Sequence, residues 1–338
     1  MPSRSLTVRR LGVLGLLAVL ALLAVVASLV FGSSGVTLAE VTGTLLRPGA
    51  ATAELHAIVF GVRVPRTALG VLVGACLGVA GALMQGHTRN PLADPGIFGV
   101  SAGAGLAVVV GVYAFGVRNS SLDVVFALIG ALAASVAVFG VTAAGSEAAS
   151  PVPLALAGAA VSALLDALTS FFVLSDRNAL EAYRLWVVGS LSGRQLDVAY
   201  SVLPFAIAGL VLAALNIRAL DNLALGAEMA QGLGENVVLA RITGLAAITL
   251  LTAAATAAAG PIGFVGLVVP HLARPLVGAG HRFLLPASVL IGIGLVLGAD
   301  VVGRVIGGFG EVQVGIVLAV LGGPFFVAVA RRRSLVAL

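Results

Sequence analysis

The sequence predicts an all-α, polytopic membrane protein of about ten transmembrane helices, with its N- and C-termini both cytoplasmic. Three observations predict it. Of 338 residues, 60% are hydrophobic and only 10% charged, with a mean hydropathy of +1.15; a soluble domain carries about 25% charged residues. Ten apolar runs then recur along the chain, near 11–31, 66–86, 97–116, 124–144, 154–174, 196–215, 242–260, 262–279, 283–302 and 313–330. Each approaches the roughly 20 residues that a hydrocarbon core of about 30 Å requires. Finally, Arg4, Arg9 and Arg10 precede the first run, and Arg331, Arg332 and Arg333 follow the last. Arginine-rich flanks stay on the cytoplasmic side, and two tails on one side require an even number of crossings. The seventh and eighth runs nearly fuse at Gly260-Pro261, so nine and eleven are the alternatives to ten. The whole chain, 1–338, reads as one membrane domain with short tails at 1–10 and 331–338.

The same composition excludes chemistry. All 19 basic residues are arginine. A phosphate-binding G-x-x-x-x-G-K-[ST] loop needs its lysine and a Schiff base needs an amine, so any pumping draws on a partner or a gradient. A single cysteine, Cys76, rules out a disulfide framework. The sequence pI near 10.6 could suggest nucleic acid, but the arginines are scattered between apolar runs, which fits membrane topology. With ten crossings, Arg4, Arg9, Arg10, Arg89, Arg218, Arg241, Arg274, Arg282 and Arg331 to Arg333 fall inside, and the other eight arginines outside. Eight acids join those outside (Glu40, Glu54, Asp123, Asp176, Glu181, Asp197, Asp300 and Glu311), leaving that face neutral and the inner face positive. Arg9-Arg10 before an apolar run also suits a secretion signal. With no A-x-A site after it, an uncleaved first span is the expectation.

Taken in order, the second span opens with Arg63-Val64-Pro65-Arg66 and carries Gly70, Gly74 and Gly78 on one face. Small residues at that spacing let helices approach closely in lipid. Asn90-Pro91-Leu92-Ala93-Asp94-Pro95-Gly96 follows. Its prolines turn the preceding residues away from helix, and Asp94 can cap the next helix with Pro95 at its first position, making a structural hairpin. Asp166 is the one acid placed mid-span; it faces a pathway, takes a proton, or pairs with Ser162, Thr169 or Ser170 nearby. The segment 221–235 is too polar to span. Asp221 or Asn222 can cap a short helix there that Gly232 and Gly234 end. Leu225, Met229 and Leu233 make an amphipathic stripe suited to a partner's groove, or to the chain's own bundle. His56, His87, His271 and His281 share no ligand spacing, and no metal site is expected.

R-x-P-R, a glycine-rich span and N-P-L-A-D-P-G together resemble the FecCD-type permeases, the membrane subunits of ABC importers for ferric siderophores, haem and cobalamin. Gly263-Phe264-Val265-Gly266-Leu267-Val268-Val269-Pro270-His271-Leu272-Ala273-Arg274 is similar to that family's second hallmark, and Ala299-Asp300-Val301-Val302-Gly303-Arg304 and Gly322-Gly323-Pro324-Phe325 match further pieces. The ordered resemblance runs from about residue 60 to the C-terminus.

The resemblance implies a non-catalytic permease in a bacterial plasma membrane, working as a dimer with a second copy or a homologue. Two ATP-binding-cassette ATPases would bind the ATP and magnesium, leaving this chain without a cofactor, and an extracytoplasmic protein would deliver the chelate. It implies that 221–235 is the coupling helix that docks on the ATPase through Leu225, Gly226, Ala230, Leu233 and Gly234. Outward Arg63, Arg66 and Arg304 would pair with glutamates of the binding protein, so Arg63→Glu with Arg66→Glu would abolish uptake without harming insertion. The path would be lined near 154–174 and 313–330, with a cytoplasmic gate at Ser150, Pro151 and Val152. One departure is Glu311-Val312-Gln313, where the family usually has a proline in third place; Gln313 restores a backbone N–H, and a straighter entry to the tenth helix is expected. The alternative from another class is a gradient-driven transporter, which would need more intramembrane ionisable groups than Asp166. Homodimer against heterodimer, and siderophore against haem or cobalamin, stay open.

Overall fold

The computed structural model describes residues 4–32, 35–117, 120–143, 151–306 and 310–331. Among them every regular element is helical. In order these are α1 (Arg4–Val30), α2 (Leu38–Leu46), α3 (Ala53–Ile58), α4 (Val64–Thr88), α5 (Val100–Phe115), α6 (Ser120–Ala143), α7 (Pro151–Ser175), α8 (Arg177–Val187), α9 (Leu196–Leu215), α10 (Ile217–Leu223), α11 (Ala227–Gly232), α12 (Val237–Ala259), α13 (Val265–Val277), α14 (His281–Ile306) and α15 (Val314–Ala330). Seven stretches are long and apolar enough to cross a membrane: α1, the continuous Ala53–Thr88, α6, α7, α9, α12 and α14. Three shorter apolar helices, α5, α13 and α15, occupy the remaining apolar runs of the sequence. The elements that hydropathy does not foresee are short. A reciprocal cap starts α2: the Thr37 backbone N–H donates to Glu40 Oε2 at 2.7 Å, and the Glu40 N–H to Thr37 Oγ1 at 3.4 Å. Thr52 caps α3, which runs through one widened turn, Val59–Arg63, into α4.

The core is organised around α4, which packs on α14, α12, α13 and α9. The glycine face expected from the sequence is what permits this. A Cβ on Gly74 would lie 2.5 Å from the Gly292 carbonyl oxygen, and one on Gly78 would collide with the Ser288 carbonyl. The two backbones therefore touch, which is how helices associate in lipid. α1 and α7 contrast with this, leaving Leu16, Leu20 and Leu23, and Leu164, Phe171 and Leu174, exposed.

α12 and α13 are separated by a sharp break. Gly260 at φ 76° and Phe264 at φ 68° end one helix and open the other, and Ser190 donates its N–H to the Ala259 carbonyl at 2.7 Å. α14 carries polar residues at both of its ends. His281 and Asp300 lie 19 residues apart on it, which at 1.5 Å per residue is about 29 Å. The start of α4 lies beside the end of α14, so the two run antiparallel.

Candidate functional site

Two clusters, one at each end of α14, carry most of the polar chemistry. At its C-terminal end Arg66 reaches from the first turn of α4 to Asp300, Nε and Nη2 donating at 3.0 and 2.8 Å, while Nη1 donates to Glu311 at 2.6 Å. Arg304, one helical turn beyond Asp300, bonds the same carboxylate at 2.8 Å. Two cations and two carboxylates thus offset one another where neither could be buried alone. The remaining guanidinium valence goes to α1. Arg304 donates to the Ser28 and Phe31 carbonyls at 2.9 and 2.6 Å, and Arg63 to those of Leu29 and Val30 at 2.8 and 2.7 Å. These are the carbonyls of the last three residues of α1 and of Phe31 just beyond it, which have no intrahelical partner, and a cation there also suits the helix dipole.

This corrects the expectation of outward arginines. Arg63, Arg66 and Arg304 are 3%, 3% and 5% exposed, and their donors are engaged within the chain. Their partners, Asp300 and Glu311, were not foreseen. The i, i+4 spacing of Asp300 and Arg304 on one helix was the available signal.

Gln313 sits in this cluster. Its φ of −63° is one that proline adopts, so the start of α15 has proline-like geometry and is not straightened. The side chain adds a tie, its Oε1 accepting from Ser190 Oγ. Ser192 Oγ donates to Glu311 at 3.2 Å, so the 190–192 and 311–313 loops are stitched together.

The hairpin after α4 is built from local bonds. Arg89 takes the left-handed conformation at φ 51° and ends α4. Asn90 Oδ1 accepts the Leu92 N–H at 2.9 Å, and Asp94 Oδ1 the Gly96 N–H at 2.8 Å. Asp94 caps a short 3-10 turn, Pro95–Phe98, and α5 begins only after Gly99. Pro91 is half-buried and Pro95 buried, with Pro95 lying against Gly266 of α13. Arg274 of α13 donates to Gln85 of α4 at 2.6 Å, which gives the P-H-x-x-R motif a structural duty; His271 packs edge-on to Phe325. Among the described residues no group of histidine, cysteine and carboxylate side chains could hold a metal ion.

At the N-terminal end of α14, the expected single helix over 221–235 is two. Asp221 and Asn222 lie inside α10 and do not cap it. Gly226, at φ 108°, turns the chain and precedes α11; Gly234, at φ 82°, follows it. Asp221 instead accepts the backbone N–H of His281 at 2.9 Å and faces its Nδ1 at 2.7 Å. Asn222 donates to Glu235 at 2.9 Å, closing the loop on itself. Ala230 is buried with Ala219, Leu223, Val237 and Ala240, so it seats α11 and cannot touch a partner as expected. Leu225, Met229 and Leu233 are 63%, 60% and 56% exposed, an apolar stripe left uncovered by the described residues.

Of the expected gate, Ser150 lies outside the described residues and Pro151 and Val152 begin α7. Further along α7, Ser162, Asp166 and Thr169 line a cavity of about 260 Å³ with Ser101, Ala102 and Gly105 of α5 and Tyr183, Trp186 and Val187 of α8. Its remaining wall is Gly96 and Pro261. The three-way choice for Asp166 resolves in part: its backbone carbonyl accepts from Ser170 at 2.8 Å, while its carboxylate is exposed and faces the cavity.

Known proteins resemble this chain in sequence and, in one solved case, in fold. The profile of the FecCD transport family matches residues 20–332. The ferric enterobactin transport system permease protein FepD of Escherichia coli (strain K12) is 46% identical over 278 residues, 82% of this chain and 83% of that protein. The Fe(3+)-citrate import system permease protein YfmD of Bacillus subtilis (strain 168) is 42% identical over 275 residues, 81% of each. A solved structure of a metal-chelate type ABC transporter in an inward-facing conformation superimposes with a TM-score of 0.81 at 27% identity, covering 96% of this chain and 99% of that one. With a profile match over nearly its whole length and relatives this similar, the chain belongs to the FecCD transport family.

Proposed function

We propose that this chain is the transmembrane permease subunit of an ABC importer that takes up a ferric siderophore. The observation that carries the reading is the exposed stripe of Leu225, Met229 and Leu233, set on a loop braced to α14 by Asp221 and to itself by Asn222. Large apolar side chains presented on a rigid polar loop suit a partner's groove. That partner is an ATP-binding-cassette ATPase, two copies of which bind the ATP and magnesium. The relatives' ferric cargoes support a ferric chelate, with a siderophore favoured over haem or cobalamin.

In this reading ten helices cross a bacterial plasma membrane with both termini inside, and the chain is one permease domain. A second copy or a homologue completes the path, with α7 and α15 lining it and residues 150–152 gating its inner end. An extracytoplasmic protein delivers the chelate to the end where Arg66 meets Asp300. Arg63, Arg66 and Arg304 serve that docking by holding this end of α4 and α14 in shape. ATP closes the ATPases, the 221–235 loop shifts, and α14 carries the movement across the bilayer. This chain holds no cofactor, performs no catalysis and binds no nucleic acid.

The test is reconstitution of the chain with its genome-neighbouring ATPase and binding protein in liposomes. Ferric siderophore uptake that requires ATP, with ATPase activity stimulated by the loaded binding protein, is the expected result. Uptake driven by an imposed ion gradient without ATP would overturn the reading in favour of a secondary transporter.

A further inference from the structure

The 260 Å³ cavity between α5, α7 and α8 has a composition that packing does not explain. Ser162, Asp166 and Thr169 stand at i, i+4 and i+7 on α7, a polar stripe on one face of a helix long and apolar enough to span. An ionisable side chain in such a helix faces a bundle interior or a water-filled cavity rather than lipid. Among the described residues no arginine, histidine or hydroxyl bonds the Asp166 carboxylate, in contrast to Asp300, which is held by two arginines. Opposite it stand two rings of α8, Tyr183 and Trp186. Gly105 makes room for both: a Cβ there would lie 3.1 Å from the Trp186 ring and 3.5 Å from that of Tyr183. Burial, and then the charge of Asp166, push the Tyr183 phenol above its ordinary range, which keeps its proton available for donation.

An unpaired carboxylate, two aromatic faces and hydroxyls around a small void are what an organic ammonium group requires. The carboxylate supplies charge and a hydrogen-bond acceptor, and the rings supply cation–π attraction. Small-molecule sites run to roughly 300–1,000 Å³, so this cavity holds one arm of a chelate and not the whole.

We propose that this cavity is a subsite for a positively charged arm of the transported chelate, such as a primary ammonium, with Asp166 as its counter-ion. The proposal rests on the chelate-import reading. It narrows the cargo to chelates bearing a cationic substituent, and it disfavours compact polyanionic ones.

Trp186 is the only tryptophan in the chain, so its emission reports on this cavity alone. The full chain in lipid nanodiscs assembled with a tryptophan-free scaffold protein is titrated with a ferric tris-hydroxamate chelate bearing a free primary amine, and with the same chelate N-acetylated. The expected result is a Kd roughly tenfold tighter for the amine form, with a matching change in Trp186 emission. That preference falls to within about twofold in Asp166→Asn and is kept in Asp166→Glu. Equal affinities in the unaltered chain overturn the proposal without reference to any variant, and so does a preference that survives Asp166→Asn. If sodium ions alone change the emission in an Asp166-dependent way while the two chelates bind alike, the site takes a free cation and the proposal fails. Failure of the import reading looks different: no ferric chelate is taken up by the reconstituted complex, whatever the charge preference in nanodiscs.

Discussion

At the C-terminal end of α14, Arg66, Asp300, Arg304 and Glu311 close on one another, and the spare donors of Arg63 and Arg304 cap α1. About 29 Å away, at the N-terminal end, a loop is equally well braced, yet it holds Leu225, Met229 and Leu233 out into solvent. Both ends are ordered by side-chain bonds, but they spend them differently. The first uses charge to complete itself and leaves little valence for a partner. The second uses polar groups only as scaffolding and leaves apolar surface unfinished. A polar cluster closed within its own subunit is a structural element even where a motif suggests docking. An apolar stripe left exposed on a braced loop is the surface that the proposed ATPase contact would use.

The largest effect expected from breaking this contrast is at Arg66. Arg66→Ala leaves Asp300 and Glu311 short of a counter-charge and costs roughly 3–5 kcal/mol, read as a lower melting temperature and less folded protein in detergent. The charge reversal Arg63→Glu with Arg66→Glu is expected to abolish uptake by preventing folding, contrary to what outward arginines would imply. Normal amounts of folded double variant would restore the docking reading.

At the other end, Leu225→Asp with Leu233→Asp is expected to bring ATP-driven uptake to background. The melting temperature of the purified chain should change little, because both side chains are exposed and substitutions of exposed side chains usually shift stability by about 0.5 kcal/mol. A large loss of stability would mean that the stripe packs on its own bundle.

A smaller effect belongs to Asp221. Burial alone would raise its carboxyl, but the side-chain and backbone hydrogen bonds from His281, and its charge, outweigh burial and hold it below the ordinary carboxylate range. A carboxyl depressed on folding contributes stability that is full above its unfolded value, near pH 4, and is lost as pH falls through the folded value. Its side chain is partly open to water, so Asp221→Asn is expected to cost about 1 kcal/mol or less at pH 7. That gap should close on acidification below about pH 4, in thermal melts across the pH range. A gap independent of pH would remove the charge from the account.

Gln313→Pro should do least. The φ of −63° already suits proline, so only the tie to Ser190 is lost and the cost should stay near 1 kcal/mol. Circular-dichroism melts would show a larger loss if the Gln313 N–H mattered.

The seven span-length helices and the glycine face of α4 were legible because lipid imposes them. Span length follows bilayer thickness, and close helix approach needs small residues at every fourth position. The hairpin was legible because proline and Asx chemistry acts within a few residues. α2, α3, α8 and α10 were not, since they are too short for a hydropathy window. The division of 221–235 into α10 and α11 was missed for another reason. Leu225, Met229 and Leu233 keep a four-residue spacing straight through the turn at Gly226, so the pattern survives where the helix does not.

What the sequence determined by itself was the membrane setting, the family, the glycine seam and the apolar stripe, all of them encoded by residue type at short or regular spacing. Only the tertiary structure decided where the arginine donors go, because Arg66 meets Asp300 across 234 residues of chain and pairing at that distance leaves no periodic trace. It also decided that Asp166, unpaired among the described residues, shares a cavity with two aromatic rings, since α5, α7 and α8 make that cavity only when packed together.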